Sequence, residues 1–142
     1  MSKYTDLAME RRSHIGPEGR PVYNCAQAVV SVFAGDAGYD EAAALRAATY
    51  FRGGMQIGSV CGAVTGGLMA LGLSGLDDPR AANELIQKVK KACGGRINCK
   101  DLLSASAARG EEKKEHCDKM IAACVELAEE ALKEKGKLPC GA

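Results

Sequence analysis

The sequence predicts an all-α protein: a compact, single-domain bundle of about five to six helices around a central glycine-rich helix. Three observations carry this. Apolar residues recur at three- and four-residue spacing, as in Val60, Val64, Leu68 and Leu71, and again in Cys117, Met120, Ile121, Cys124, Ala128, Ala131 and Leu132. Helix starts are marked by Asn24, Asp40, Asp78-Pro79 and Asn98, and stops by Gly16-Pro17, Gly35 and Gly94-Gly95. The β-branched run Val29, Val30 and Val32 would suit a strand, but no other segment offers it a strand partner.

In order, residues 2–15 form a leading amphipathic helix and Glu18 to Pro21 a polar loop. A largely buried helix then runs from Cys25 to Phe33, and an alanine-rich one from Glu41 to Phe51. The central helix spans Ser59–Leu73, with Cys61 in its first turn. A further helix starts at Pro79. A short piece after Asn98 carries Cys99, Leu102 and Leu103, and Ser104 to Gly110 reads as a small-residue linker. The last helix covers Glu111 to Lys135, and 136–142 is a flexible tail. No 20–50-residue repeat is present, so residues 1–142 read as one domain.

The central segment, Gly53 to Leu76, has 24 residues without a charge, eight of them glycine. Glycine inside a helix costs about 0.8–1.0 kcal/mol relative to alanine, so its repetition signals a close approach to the backbone. Gly58, Gly62 and Gly66 fall four apart on one face and form the expected flat wall of a site. That face would also suit a homodimer. A membrane span is the competing reading, because spaced glycines pack transmembrane helices too. The glycines interrupt the run too often for the ~20 apolar residues a span needs, so no membrane insertion is expected.

Charge excludes further classes. Nineteen basic residues face eighteen acidic ones, the basic pairs are scattered, and aromatics are 4%, which is no nucleic-acid footprint. The first residues run straight into a charged segment without the apolar core of a signal peptide, so a cytoplasmic setting is expected, where disulfides are kept reduced.

Against that setting, seven cysteines stand out. Cys25, Cys61 and Cys99 each follow a capping residue and so fall in the first turn of a predicted helix, where free amides and the helix dipole favour a thiolate and lower its pKa. Cys117, on the inward stripe of the last helix with Lys113 and Lys114 one turn earlier, is the natural fourth member, although a small core residue would fit that stripe equally well. Cys124 reads as core filling, and Cys93 and Cys140 as spare thiols. His14 and His116 sit in charged segments and read as solvated. No CxxC pair, phosphate loop, GxGxxG or HExxH occurs, so neither a thioredoxin-type site, a zinc ribbon nor a metalloprotease is written here.

These pieces resemble the redox-active family named for its motif C_GCAxxG_C_C. The resemblance is carried by Tyr23-Asn24-Cys25-Ala26-Gln27-Ala28-Val29, by Val60-Cys61-Gly62-Ala63-Val64-Thr65-Gly66-Gly67-Leu68-Met69, by Asn98-Cys99-Lys100-Asp101-Leu102-Leu103, and by His116-Cys117, all in family order. It implies that Cys25, Cys61, Cys99 and Cys117 are the signature cysteines and that Cys93, Cys124 and Cys140 are extras. It also implies a compact helical protein. A similar domain in split-Soret cytochromes is associated with an iron–sulfur centre, which the resemblance extends here as an analogy. Two departures stand beside it: the glycine-rich run before the motif is altered to Phe51-Arg52-Gly53-Gly54-Met55-Gln56, and His14 to Pro21 is an insertion.

Three functions follow as expectations. The first is electron transfer to a redox partner protein through an iron–sulfur cluster, [2Fe–2S], on Cys25, Cys61, Cys99 and Cys117. The second is metal-free thiol–disulfide oxidoreduction by the same cysteines. The third is a structural zinc site or a helical interaction module.

Overall fold

The computed structural model describes residues 2–139, and in them the fold is all-α. Seven α-helices run in the order α1 (Lys3–Arg12), α2 (Cys25–Ala34), α3 (Glu41–Ala47), α4 (Gly62–Leu73), α5 (Pro79–Ala92), α6 (Cys99–Ala108) and α7 (Lys113–Glu134). No strand forms among the described residues, only isolated antiparallel bridges at Ile15–Pro21 and Val60–Asn98. None of the helices is long and apolar enough to cross a membrane.

The glycine-rich helix α4 is central, packed on α2, α5 and α7. Its residues explain why. It carries no charge and buries Ala63, Val64, Ala70 and Leu71 on successive faces, so it is covered on more than one side. A Cβ on Gly66 would lie 2.8 Å from the Ala26 carbonyl oxygen and 2.9 Å from Val29 Cβ, so glycine here sets the approach of α2 to α4. On the far side Gly67 faces Cys124 of α7. The helix α1 lies across α2 and α7, where the Tyr4 and Phe33 rings stack with centroids 4.6 Å apart and the Tyr4 hydroxyl donates to Asp36 at 2.5 Å.

Three boundaries differ from the sequence expectation. The central helix begins at Gly62 rather than Ser59, because Ser59 to Cys61 are extended and pair with Ile97 to Cys99 around the Val60–Asn98 bridge, and they follow a loop in which Gly53, Gly54, Met55, Gln56 and Gly58 take left-handed φ. Cys61 is therefore its N-cap and Gly58 lies outside it. The predicted helix to Phe51 stops at Ala47 and tightens into a short 3₁₀ turn over Thr49–Phe51. Ser104 to Ala108 are helical, not a linker: α6 continues to Ala108, with Ser106 buried and its hydroxyl donating to Glu111 at 2.9 Å. In the expected tail, Leu138 packs against the core, and Cys140 lies outside the described residues.

Candidate functional site

The fold brings Cys25, Cys61, Cys99 and Cys117 to one cavity of about 860 Å³, although they come from four separate stretches of chain. Each is placed by a different device. Cys25 opens α2 behind a reciprocal cap, in which the Asn24 side chain accepts from the Gln27 amide at 2.8 Å and the Gln27 side chain accepts from the Asn24 amide at 2.9 Å. Asn24 also donates to the Ala48 and Thr49 carbonyls, which ties this corner to the end of α3.

Cys61 and Cys99 are placed by a two-rung ladder. The Cys61 amide donates to the Ile97 carbonyl at 2.9 Å and the Cys99 amide to the Ser59 carbonyl at 2.6 Å, around the Val60–Asn98 bridge. Because side chains alternate along extended backbone, Cys61 and Cys99 fall on the same face of this ladder, at diagonal positions. The left-handed loop closes over it: a Cβ on Gly54 would meet the Ser59 carbonyl oxygen at 2.3 Å and Cys99 Cβ at 2.7 Å. Cys117 completes the set from the second turn of α7.

The thiols differ in their surroundings. Cys25 and Cys117 are neighbours on this wall, and their interaction pushes Cys25 well up while helping hold Cys117 down at about 7. Cys117 is thus the more acidic thiol of the two. Arg12 and Lys113 add to its stabilisation against the cost of burial. Arg12 is itself buried and fixed, donating to Asp118 at 2.7 Å and to the Tyr23 carbonyl at 2.8 Å. Burial raises Cys61 to about 11, partly offset by the nearby backbone amides of Ala63 and Val64. Burial likewise raises Cys99. The expectation that helix starts lower the pKa of Cys25, Cys61 and Cys99 therefore fails. In each, desolvation or a neighbouring thiol outweighs the dipole, and the lowered thiol is Cys117, away from the first turn.

Of the three glycines expected as a site wall, Gly62 lines the cavity, where a Cβ would sit 3.1 Å from Cys25 Cβ. Gly58 faces Lys100, and Gly66 is a helix-packing residue. Cys124 is fully buried in the core, as its stripe predicted. Cys93, at the C-cap of α5, is half-buried with its sulfur 3.9 Å from Met120 Sδ.

Sequence reasoning misplaced one residue. His116 is not solvated: it is only 7% exposed and lines the cavity. Its position between charged neighbours on α7 hid this, since the helix rotates it about 100° from Cys117 and into the cavity wall. Burial lowers its pKa. Arg12 was also missed, because a charged residue near the end of an exposed helix carries no sign of a partner over a hundred residues away.

The donor set is four thiols. Among the described residues no three His, Cys, Asp or Glu side chains are grouped so as to hold a metal ion. The cysteines are instead disposed as two pairs on one cavity, Cys25 with Cys117 and Cys61 with Cys99.

A cysteine-rich all-α bundle is thus the class that the fold and the cavity define. The model of the family described as "Putative redox-active protein (C_GCAxxG_C_C)" matches residues 23–131, and the chain belongs to that family. No curated protein and no solved structure matches it.

Proposed function

We propose that this protein is an electron-transfer protein whose redox centre is an iron–sulfur cluster held by Cys25, Cys61, Cys99 and Cys117. The observation that carries the reading is the arrangement of four thiols as two pairs on one cavity, in a family described as redox-active. A two-iron cluster takes two thiolates at each iron, so a two-plus-two donor set suits it, and thiolates are its ordinary ligands. When bound, such a cluster supplies a one-electron couple.

This chain's own residues would do the rest. The Ala63 and Val64 amides lie near the Cys61 thiol and favour its anionic form, and N–H groups close to ligand sulfur raise a cluster's potential. Arg12 and Lys113 offset negative charge at Cys117. Gly62 and Gly54 bring backbone close beside Cys25 and Cys99, walls that any side chain would fill. The reading fits a reducing, cytoplasmic setting and a redox partner protein. The test is the visible spectrum of anaerobically purified protein: the reading expects brown protein whose colour is lost in Cys61→Ala, and colourless, iron-free protein would refute it.

The Cys25–Cys117 contact favours a second reading, metal-free disulfide reduction. The Cys117 thiolate attacks one sulfur of a substrate disulfide and releases the other as a thiolate. Cys25, losing its proton, then attacks Cys117 sulfur and releases the second thiolate. The substrate gains two electrons, its two thiolates take up two protons, and the protein keeps a Cys25–Cys117 disulfide. A thiol count that falls by two on mild oxidation, in iron-free protein, marks this outcome.

A further inference from the structure

We infer that the cavity beside the four thiols is also a binding site for a small organic carboxylate, with its acid group at the first turn of α7 and its apolar body against Tyr23, Leu102, Leu103 and Met120. Volume is the first argument. About 860 Å³ lies within the ~300–1,000 Å³ of small-molecule sites, and apolar side chains such as Leu102, Leu103 and Met120 share its lining with charged ones.

Charge is the second. Five cationic side chains line the cavity (Arg12, Arg20, Arg52, Lys113 and Lys114) against one carboxylate, Glu18, which pairs with Arg20. Asp118 engages Arg12 and Lys114. Arg52 and Lys113 are left without an ion pair among the described residues. Both line the cavity, Arg52 from the altered loop and Lys113 from the start of α7.

The third argument is His116. It is more than nine-tenths buried, it lines the cavity, and its ring has no hydrogen-bond partner among the described residues. Among the described residues no buried side-chain nitrogen or oxygen is sealed off without a partner, so the unpaired ring nitrogens of this cavity-lining residue are not sealed off. The same turn of α7 has no side-chain cap: Glu112 makes no capping bond, and the first turn contributes Lys113, Lys114 and His116 to the wall. Uncapped amides, a lysine without an ion pair and an imidazole N–H are complementary to a carboxylate. Neither the cluster nor a disulfide uses His116 or Arg52, so both are left over after the redox reading, on which this inference rests only for the cavity's role as redox site.

The test is calorimetric titration of the full chain, reduced and anaerobic, with naphthalene-2-carboxylate and with its uncharged amide, iron being measured in the same sample. The inference expects saturable one-to-one binding of the acid, with the amide weaker by about tenfold, the loss of one charge-assisted contact. Lys113→Gln and His116→Phe should each weaken the acid several-fold and leave the amide unchanged, with Lys91→Gln on α5 as an unaffected control and thermal midpoints confirming that the variants fold. No saturable binding, equal affinity for acid and amide, or unchanged affinity in Lys113→Gln would overturn it. Binding in colourless, redox-silent protein would sink the redox reading and leave this one standing; brown protein that ignores the acid would do the reverse.

Discussion

The Cys25 and Cys117 thiols interact across one wall of the cavity, and that contact separates two chemically identical side chains: Cys117 sits at about 7 while Cys25 is pushed well above the ordinary thiol range. The division follows from position. Burial adds to the rise at Cys25, whereas Arg12 and Lys113 act with the contact to lower Cys117. In metal-free protein, Cys117 is therefore the thiol that reacts first with an alkylating agent, with a rate midpoint near pH 7. Cys25→Ala removes the neighbouring thiol and should shift the midpoint upward toward an ordinary thiol, about 8.5. Mass-spectrometric alkylation rates against pH check this, and an unchanged midpoint would mean that the contact does not stabilise the thiolate.

Arg12 joins the two ends of the fold, from α1 to Asp118 on α7 and to the Tyr23 carbonyl before α2. Asp118 retains Lys114 when Arg12 is lost, and it is partly exposed, so the cost falls below that of breaking a fully buried pair. Arg12→Met should lower stability by about 2 kcal/mol, measured by denaturant unfolding, and should raise the Cys117 midpoint as well.

Two glycines of α4 should respond with opposite signs. Gly66→Ala drives a Cβ against the Ala26 carbonyl oxygen at 2.8 Å, in backbone that cannot swing aside, and should cost about 1–3 kcal/mol. Gly72 is exposed, helical and has nothing within 4 Å of the added atom, so Gly72→Ala should stabilise by about 0.5–1 kcal/mol. Thermal melts of the two variants check the pair, and equal shifts would refute the assigned packing.

Glu111 is held down at about 2 by Lys119, Arg109 and Ser106. Its folded pKa lies below the unfolded value, so its contribution is complete above the unfolded carboxyl range, about pH 4.3, and is lost as pH falls toward 2. Glu111→Gln should therefore be less stable than the parent at pH 7, and the two curves should converge by about pH 2. Parallel curves across that range would contradict the sign.

Much of this was legible in the chain. Asn24, Asp40 and Asp78-Pro79 cap helices at the residues expected, because a cap is a local hydrogen bond that needs no tertiary information. Cys25, Cys61 and Cys99 were legible through the helix starts expected beside them, Cys117 through the inward stripe of the last helix, and the structure brings the four to one cavity. Their chemistry was not legible: the split between Cys25 and Cys117 depends on a contact between residues far apart in sequence, and on Arg12, whose partner is on the last helix. The start of α4 was missed because periodicity alone cannot register that Ser59 to Cys61 pair with Ile97 to Cys99, nearly forty residues on in the chain. His116 was misread because charged neighbours describe the helix's outer face, not the side that faces a cavity.

Iron and acid-labile sulfide per chain, determined in anaerobically purified protein and in Cys25→Ala, Cys61→Ala, Cys99→Ala and Cys117→Ala, test the central proposal most directly. About two irons and two sulfides per site in the parent, with loss in each of the four variants and retention in Cys93→Ala, is the predicted result. Iron and sulfide absent from the parent, or retained when any of the four cysteines is removed, would contradict a cluster held by this set.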